Sequence, residues 1–260
     1  MKTVRKALGL LHHFSVSNPQ WGLSELARAA GLDKATTLRL LRPLVEERLL
    51  EQDAVSRKYR LGHLVLNLAR TREASFPLTE WIQPELAQLA QTLGEVAHAS
   101  LMGAEALTTV AVANAAQRAT RVFVDPSEAL PYHATASGMV CLAFAAPDSV
   151  AAILARNDYV GVTQDTPKDA DELAPRLARA RHLGYAVTHS TFESEVTGVA
   201  VPFFDAEGHA QGAIAVAAPN SRVDEVTTQA MVRALFAATQ RITTAVGGVL
   251  PAAWLACFEA

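Results

Sequence analysis

Residues 29–41 read AAGLDKATTLRLL, a glycine break followed by a leucine-rich stretch that carries Lys34 and Arg39. Asp33 stands where an N-cap belongs, so a helix is expected to begin at Lys34. On a helical wheel Thr37, Leu40, Leu41, Leu44 and Val45 share one face, and Lys34, Ala35, Leu38, Arg39 and Arg42 share the other. Thr37 therefore reads as packed rather than outward-facing. Upstream, Ser24 reads as the N-cap of a short helix that runs to Ala30 and stops at Gly31. Two short helices joined at a glycine, the second apolar behind and basic in front, form a helix-turn-helix pattern. Pro43 disturbs it, because an interior proline removes a hydrogen bond and clashes with the carbonyl of Arg39. A kink is expected there, since Leu44 and Val45 keep the apolar phase; the alternative is a regular helix that ends near Leu41.

Working outward, Val4, Ala7, Leu8, Leu11 and Phe14 recur at helical spacing and predict a first helix over 3–15. After the basic helix, LLEQ and KYRLG read as two short strands around the turn DAVS. Three helices and a hairpin make a winged helix-turn-helix over 1–62. A linker helix is expected over 63–76. Residues 77–250 form a larger α+β domain, and 251–260 a C-terminal tail. In the larger domain helices are expected near 78–92, 136–146, 148–156, 169–183 and 223–247. Strands are expected near 96–102, 107–113, 119–124, 184–189, 197–204 and 211–218, with the helices on one side of the sheet.

The charge is split in the same way. Residues 1–62 hold eleven Lys and Arg against six Asp and Glu, and residues 63–260 hold twelve against twenty, so +5 and −8 give the overall −3. A basic module joined to an acidic one suggests two modules with different partners. Two distant cysteines, Cys141 and Cys257, argue for a reducing compartment and against a disulfide scaffold or zinc site. The opening MKTVRKALGLLHHF is basic and then apolar, but His12 and His13 interrupt the run, so it reads as an amphipathic helix rather than a signal peptide. The apolar runs are shorter than the roughly 18 residues of a membrane span. A cytoplasmic protein without a membrane partner is expected.

The basic helix suits the DNA major groove, with its first residues at base edges and its first amides at phosphate. The candidate DNA-binding residues are Ser24, Lys34, Ala35, Thr36, Leu38, Arg39 and Arg42, with Arg57 and Lys58 on the wing. Arg39 can bond a guanine edge in bidentate fashion or hold phosphate.

These motifs resemble those of the IclR family of bacterial transcriptional regulators over Thr3 to Gly248. The N-terminal marks are VRKALGLLHHF, LSELARAAGLDKATTLRLLRPL and YRLG. The C-terminal marks are YHATASGMVCLA, LGYAVTHSTFESEVTGVAVPFFD and GAIAVAAPNSRV. The resemblance implies a winged helix-turn-helix, a linker helix and a GAF-like mixed α/β domain that binds a small effector. It also implies dimers or tetramers on a pseudo-palindromic operator in double-stranded DNA. Ala35 and Leu38 replace a serine and a histidine frequent in the family, and both can pack on thymine methyls. Arg48 replaces a frequent glycine at the turn into the wing, which strains the backbone if a positive φ is needed.

By the same resemblance, the effector site falls on His133, Ala134, Thr135, Ala136, Ser137, Met139, Thr188, His189, Ser190, Gly198, Ala215 and Ala217. Met139, Thr188, Gly198, Ala215 and Ala217 replace more polar or larger residues of the family. More room and fewer donors suit an aromatic or similarly sized organic acid better than a small keto-acid. His133 is either a ligand contact or a residue that holds the loop by bonding backbone. An anion needs positive help, for which Arg121 and Arg222 are the nearest guesses; a neutral ligand is the alternative.

Enzyme chemistry finds no support in the motifs. No G-x-S-x-G elbow, phosphate loop or metal-spaced His/Cys cluster occurs, and no cofactor is expected. Cys141 reads as a buried thiol, Glu193 and Glu195 as solvated, and His182, His189 and His209 have no ligand spacing. A second reading makes the larger domain a purely oligomerising module on a ligand-independent DNA binder.

Overall fold

A computed structural model describes residues 2–75, 77–115 and 121–258. The chain divides into two compact units, Met1–Pro77 and Leu78–Ala260.

In the first unit helix α1 spans Lys2–Gly9 and tightens into a 3-10 turn at Leu10–His13, so the expected 3–15 helix changes pitch where the histidines begin. Helix α2 spans Leu23–Ala29 and α3 spans Lys34–Glu46. Gly31, at φ 62, makes the reversal between them, a conformation that costs other residues a Cβ clash. Asp33 caps α3 by accepting the Thr36 amide at 2.7 Å. Ser24 is not the cap of α2. That place belongs to Gly22, whose amide donates to the Glu25 carboxylate at 2.8 Å, and Ser24 lies inside the first turn. Leu26, Leu40, Leu41, Leu44 and Leu50 close a core with Leu10, Phe14 and Tyr59. Helix α3 runs through Pro43 to Glu46, and the Glu47 amide reaches the Pro43 carbonyl at 2.9 Å. Strands β1, Leu50–Gln52, and β2, Tyr59–Leu61, form the wing, and Trp21 adds an isolated bridge to Tyr59. Helix α4, His63–Ser75, follows and buries no residue.

The second unit opens with α5, Leu78–Leu93. Strands β3, Val96–Met102, and β4, Leu107–Ala113, come next, then the short β5, Ala129–Leu130. Helices α6, Ala136–Phe144, α7, Pro147–Leu154, and α8, Ala170–Leu183, lead to β6, Ala186–His189. Strands β7, Val196–Phe204, and β8, Ala210–Pro219, precede α9, Glu225–Ala245, and a final short helix α10, Ala252–Leu255. The six strands form one sheet in the order β5-β4-β3-β8-β7-β6, every pair antiparallel.

The period of two along β7 and β8 decides what covers each face. Val199, Val201, Phe203, Ile214 and Val216 point to one face, where Ile82 and Leu86 of α5 and Leu235 and Ile242 of α9 meet them. Ala200, Ala213 and Ala215 point to the other, beneath Val140 and Leu142 of α6. Helices therefore cover both faces, not the single side expected. Strand candidate 119–124 also fails: residues 119–120 lie outside the described set, and 121–124 form no strand. Of the expected C-terminal tail, residues 251–258 fold onto the core. Trp254 is fully buried, stacks on Phe236 at 5.0 Å and donates its indole N–H to the Gly184 carbonyl at 2.7 Å.

Candidate functional site

Helix α3 presents Lys34, Ala35, Leu38, Arg39 and Arg42 to solvent, while Thr37 is fully buried and donates its hydroxyl to the Asp33 carbonyl at 2.9 Å. The amphipathic split thus sorts the helix as its sequence does. Lys34, Arg39 and Arg42 pair with no carboxylate among the described residues. Thr36 is half-buried, and its hydroxyl is spent on Asp33 at 2.7 Å, so its main part is in the cap. These hydrogen bonds hold the Asp33 carboxyl below its usual range, the Thr36 amide contributing first. On the wing, Asp53 accepts the Ser56 amide at 2.7 Å and the Ser56 hydroxyl at 2.8 Å. That turn leaves Arg57, at φ 59, and Lys58 exposed beside the tip residue Val55. Arg60, by contrast, is held across the hairpin by Glu51 at 3.3 Å.

In the second unit a cavity lies between the sheet and the N-terminus of α6. Its floor is a row across the strands: His98 of β3, Ala215 and Ala217 of β8, Gly198 of β7 and Thr188 of β6. Thr135, Ala136 and Ser137 form the α6 side, and the segment from Val122 to Asp125 forms a wall with Leu130 and Phe192. The Thr135 hydroxyl caps α6 by accepting the Gly138 amide at 3.0 Å, which leaves the first-turn amides of Ala136 and Ser137 without a partner in the helix. His98 is 8% exposed, and its Nδ1 has no partner among the described residues. Burial lowers its pKa to about 4, so the ring is neutral at physiological pH. Glu128 and Glu193 line the cavity where it reaches solvent, and burial, first of all, raises both carboxyls above their usual range. No Lys or Arg is among the described residues that line it.

Residues 73–244 match the family described as Bacterial transcriptional regulator IclR C-terminal, and residues 3–54 match the IclR helix-turn-helix domain. The chain belongs to the IclR family. It is 26% identical over 226 residues to the transcriptional regulator XynR of Escherichia coli strain K12, covering 86% of this chain and 89% of that one. It is 24% identical to the Pca regulon regulatory protein of Pseudomonas putida, covering 86% of this chain and 76% of the relative. Among solved structures, an IclR transcriptional regulator from Silicibacter sp. TM1040 superposes with a TM-score of 0.84 at 38% identity, over 96% of this chain and 98% of that one. An IclR homologue of Microbacterium hydrocarbonoxydans, complexed with 4-hydroxybenzoate, shares the fold at a TM-score of 0.74 and 24% identity, over 94% and 98% of the two chains. These relatives are transcriptional regulators, not enzymes. No helix among the described residues is long and apolar enough to cross a membrane.

The residues expected by resemblance to hold an effector divide in this chain. Thr135, Ala136, Ser137, Thr188, Gly198, Ala215 and Ala217 all line the cavity. His133 does not: its Nε2 lies 3.1 Å from the Val160 carbonyl and its ring packs on Tyr159, so it holds the loop. Ala134 is buried outside the cavity, and its carbonyl accepts the Thr191 hydroxyl at 2.6 Å. Met139, His189 and Ser190 line a separate open groove with Arg176 and Arg179, and Thr188 borders both spaces. His189 is held by Thr197 at 2.9 Å, and Ser190 by Asn220 at 2.9 Å. Strand alternation explains His189, the neighbour of Thr188 along β6, which faces away from the cavity.

Neither arginine named as a counter-charge is in the cavity. Arg222 makes a two-pronged pair with Glu95 at 2.6 and 2.7 Å, and Arg121 is exposed outside the lining. The small residues leave less room than expected. The cavity measures about 80 Å³, and α6 lies close over its floor: a Cβ at Gly198 would lie 3.5 Å from the Ala136 Cβ. His98, Glu128, Phe192, Glu193 and Val196 line it without having been expected. His98 had a legible signal, a polar residue on the small-residue face of an alternating strand. Glu193 read as solvated because nothing in its local sequence says that the loop folds over a cavity. Cys141 is a buried thiol whose pKa burial pushes up, in keeping with an inert packing role.

Proposed function

We propose that this IclR-family regulator binds an operator through α3 and the wing, and that a small flat organic effector in the α6 cavity controls its DNA affinity. Arg39 and the outward Ala35 and Leu38 read base edges; Lys34, Arg42, Arg57 and Lys58 hold phosphate, with Ser24 and Thr36 near the backbone. The observation that carries the effector half is the cavity itself, an apolar space floored by Gly198, Ala215 and Ala217 beside unpartnered helix-start amides. Such amides favour a carboxylate. A ring-sized acid fits the lining chemistry, and the 4-hydroxybenzoate held by the Microbacterium homologue supports that size. At about 80 Å³ the space is smaller than the roughly 150 Å³ void that accepts benzene, so the wall from Val122 to Asp125 must yield as the ligand enters. That segment has no strand or helix hydrogen bonds to break.

A dimer in the cytoplasm places two winged helices on two half-sites, and effector binding shifts their arrangement. The test pairs thermal shift with operator binding by fluorescence anisotropy. Aromatic acids should raise the melting temperature and change operator affinity, and operator should change acid affinity by the same factor. Stabilisation by pyruvate alone would overturn the ligand class. Aromatic acids that bind with no change in operator affinity would favour the ligand-independent DNA binder.

A further inference from the structure

Three carboxylates line the open side of the α6 cavity: Asp125, Glu128 and Glu193. Asp125 is committed to its own turn, accepting the Ser127 amide at 2.8 Å and hydroxyl at 2.6 Å. Glu128 and Glu193 have no donor to their carboxylates among the described residues. Burial first, and then the charges of Asp125 and Glu193, raise the Glu128 carboxyl above its usual range. No group of three or more metal-binding side chains converges among the described residues. Below them, His98 is buried with Nδ1 unpartnered in the same cavity. A buried imidazole nitrogen left empty is costly unless a ligand meets it. The cavity is thus polar at two levels, inside and at the mouth, and apolar between.

A plain monoacid would satisfy the inner level and leave two carboxylates facing its outward end. Resting on the effector reading above, we infer that Glu128 and Glu193 select a bipolar effector: a flat aromatic acid whose outward end is a protonated amine. The carboxylate lies at the α6 amides and His98, and the ammonium lies between the two glutamates. The ammonium removes their mutual repulsion and supplies the donors that they lack.

Isothermal titration of the full-length protein at neutral pH with benzoate, 4-(aminomethyl)benzoate and terephthalate tests this. The amino acid should bind about fivefold or more tighter than benzoate, from a charge-assisted contact at a partly exposed rim, and terephthalate weakest of the three. The double variant Glu128→Gln with Glu193→Gln should bring the three within about twofold of one another, the rim charge having been the source of the ranking. Both residues reach solvent, so the variant keeps the fold, which circular dichroism confirms. If terephthalate binds as well as the amino acid, or the ranking survives the double variant, the inference fails while the effector site stands. If none of the three binds to the native protein, the aromatic-acid reading fails along with it.

Discussion

Arg39 is exposed near the middle of α3 and has no acidic partner among the described residues, so its donors can meet an incoming surface. Arg39→Ala should cost about 1–3 kcal/mol at the operator and relax specificity, if it reads a guanine. Anisotropy against operator and scrambled duplexes checks this; an equal loss on both would make Arg39 a phosphate contact. The outward pair Ala35 and Leu38 was legible from the wheel alone, as was buried Thr37, because a helix in this register leaves no other side for them. His98 shows the limit of that logic. Its strand and its face can be read from alternation, but the empty nitrogen depends on Ala215, which pairs with it across more than a hundred residues.

At the scale of elements, backbone rules were read correctly where one residue type answers one conformation. Arg48 is at φ 59, in the turn from α3 into the wing, where an L side chain crowds its own carbonyl. Arg48→Gly should stabilise the first unit by about 0.5–1 kcal/mol, the relief of strain exceeding the extra freedom of glycine in the unfolded chain. Urea denaturation followed by circular dichroism measures it, and a loss of stability would show that the arginine side chain contributes more than the strain costs. Pro43 did not end its helix, because the turn beyond it is closed by Glu47 and packed through Leu44 and Val45. The strand candidate 119–124 fails over its described residues, 121–124, for the opposite reason. Its apolar residues have strand character, but Val122 and Val124 pack beside the cavity against Val96 and Val112 rather than pairing in the sheet.

For the whole molecule, residues 251–258 matter more than their composition suggested. Trp254 fills the space among Phe204, Phe236 and Phe258 and ties the Gly184 carbonyl. Trp254→Ala should cost the second unit about 3–5 kcal/mol by loss of buried area and creation of a cavity. Chemical denaturation gives the figure, and a cost near zero would mean that the segment only leans on the core. The sequence by itself determined the winged helix-turn-helix, the basic and exposed face of α3, most strands and helices of the second unit to within a few residues, and seven of the cavity-lining residues. It did so because helix period, strand period, caps and glycine turns are set by neighbours a few residues apart. Only the tertiary structure decided that helices cover both faces of the sheet, that His133 holds a loop while His98 faces the cavity, and that Glu128 and Glu193 meet at its mouth. Those outcomes depend on which distant segments come together and how closely α6 can lie on a face of alanines, and local periodicity carries no record of either.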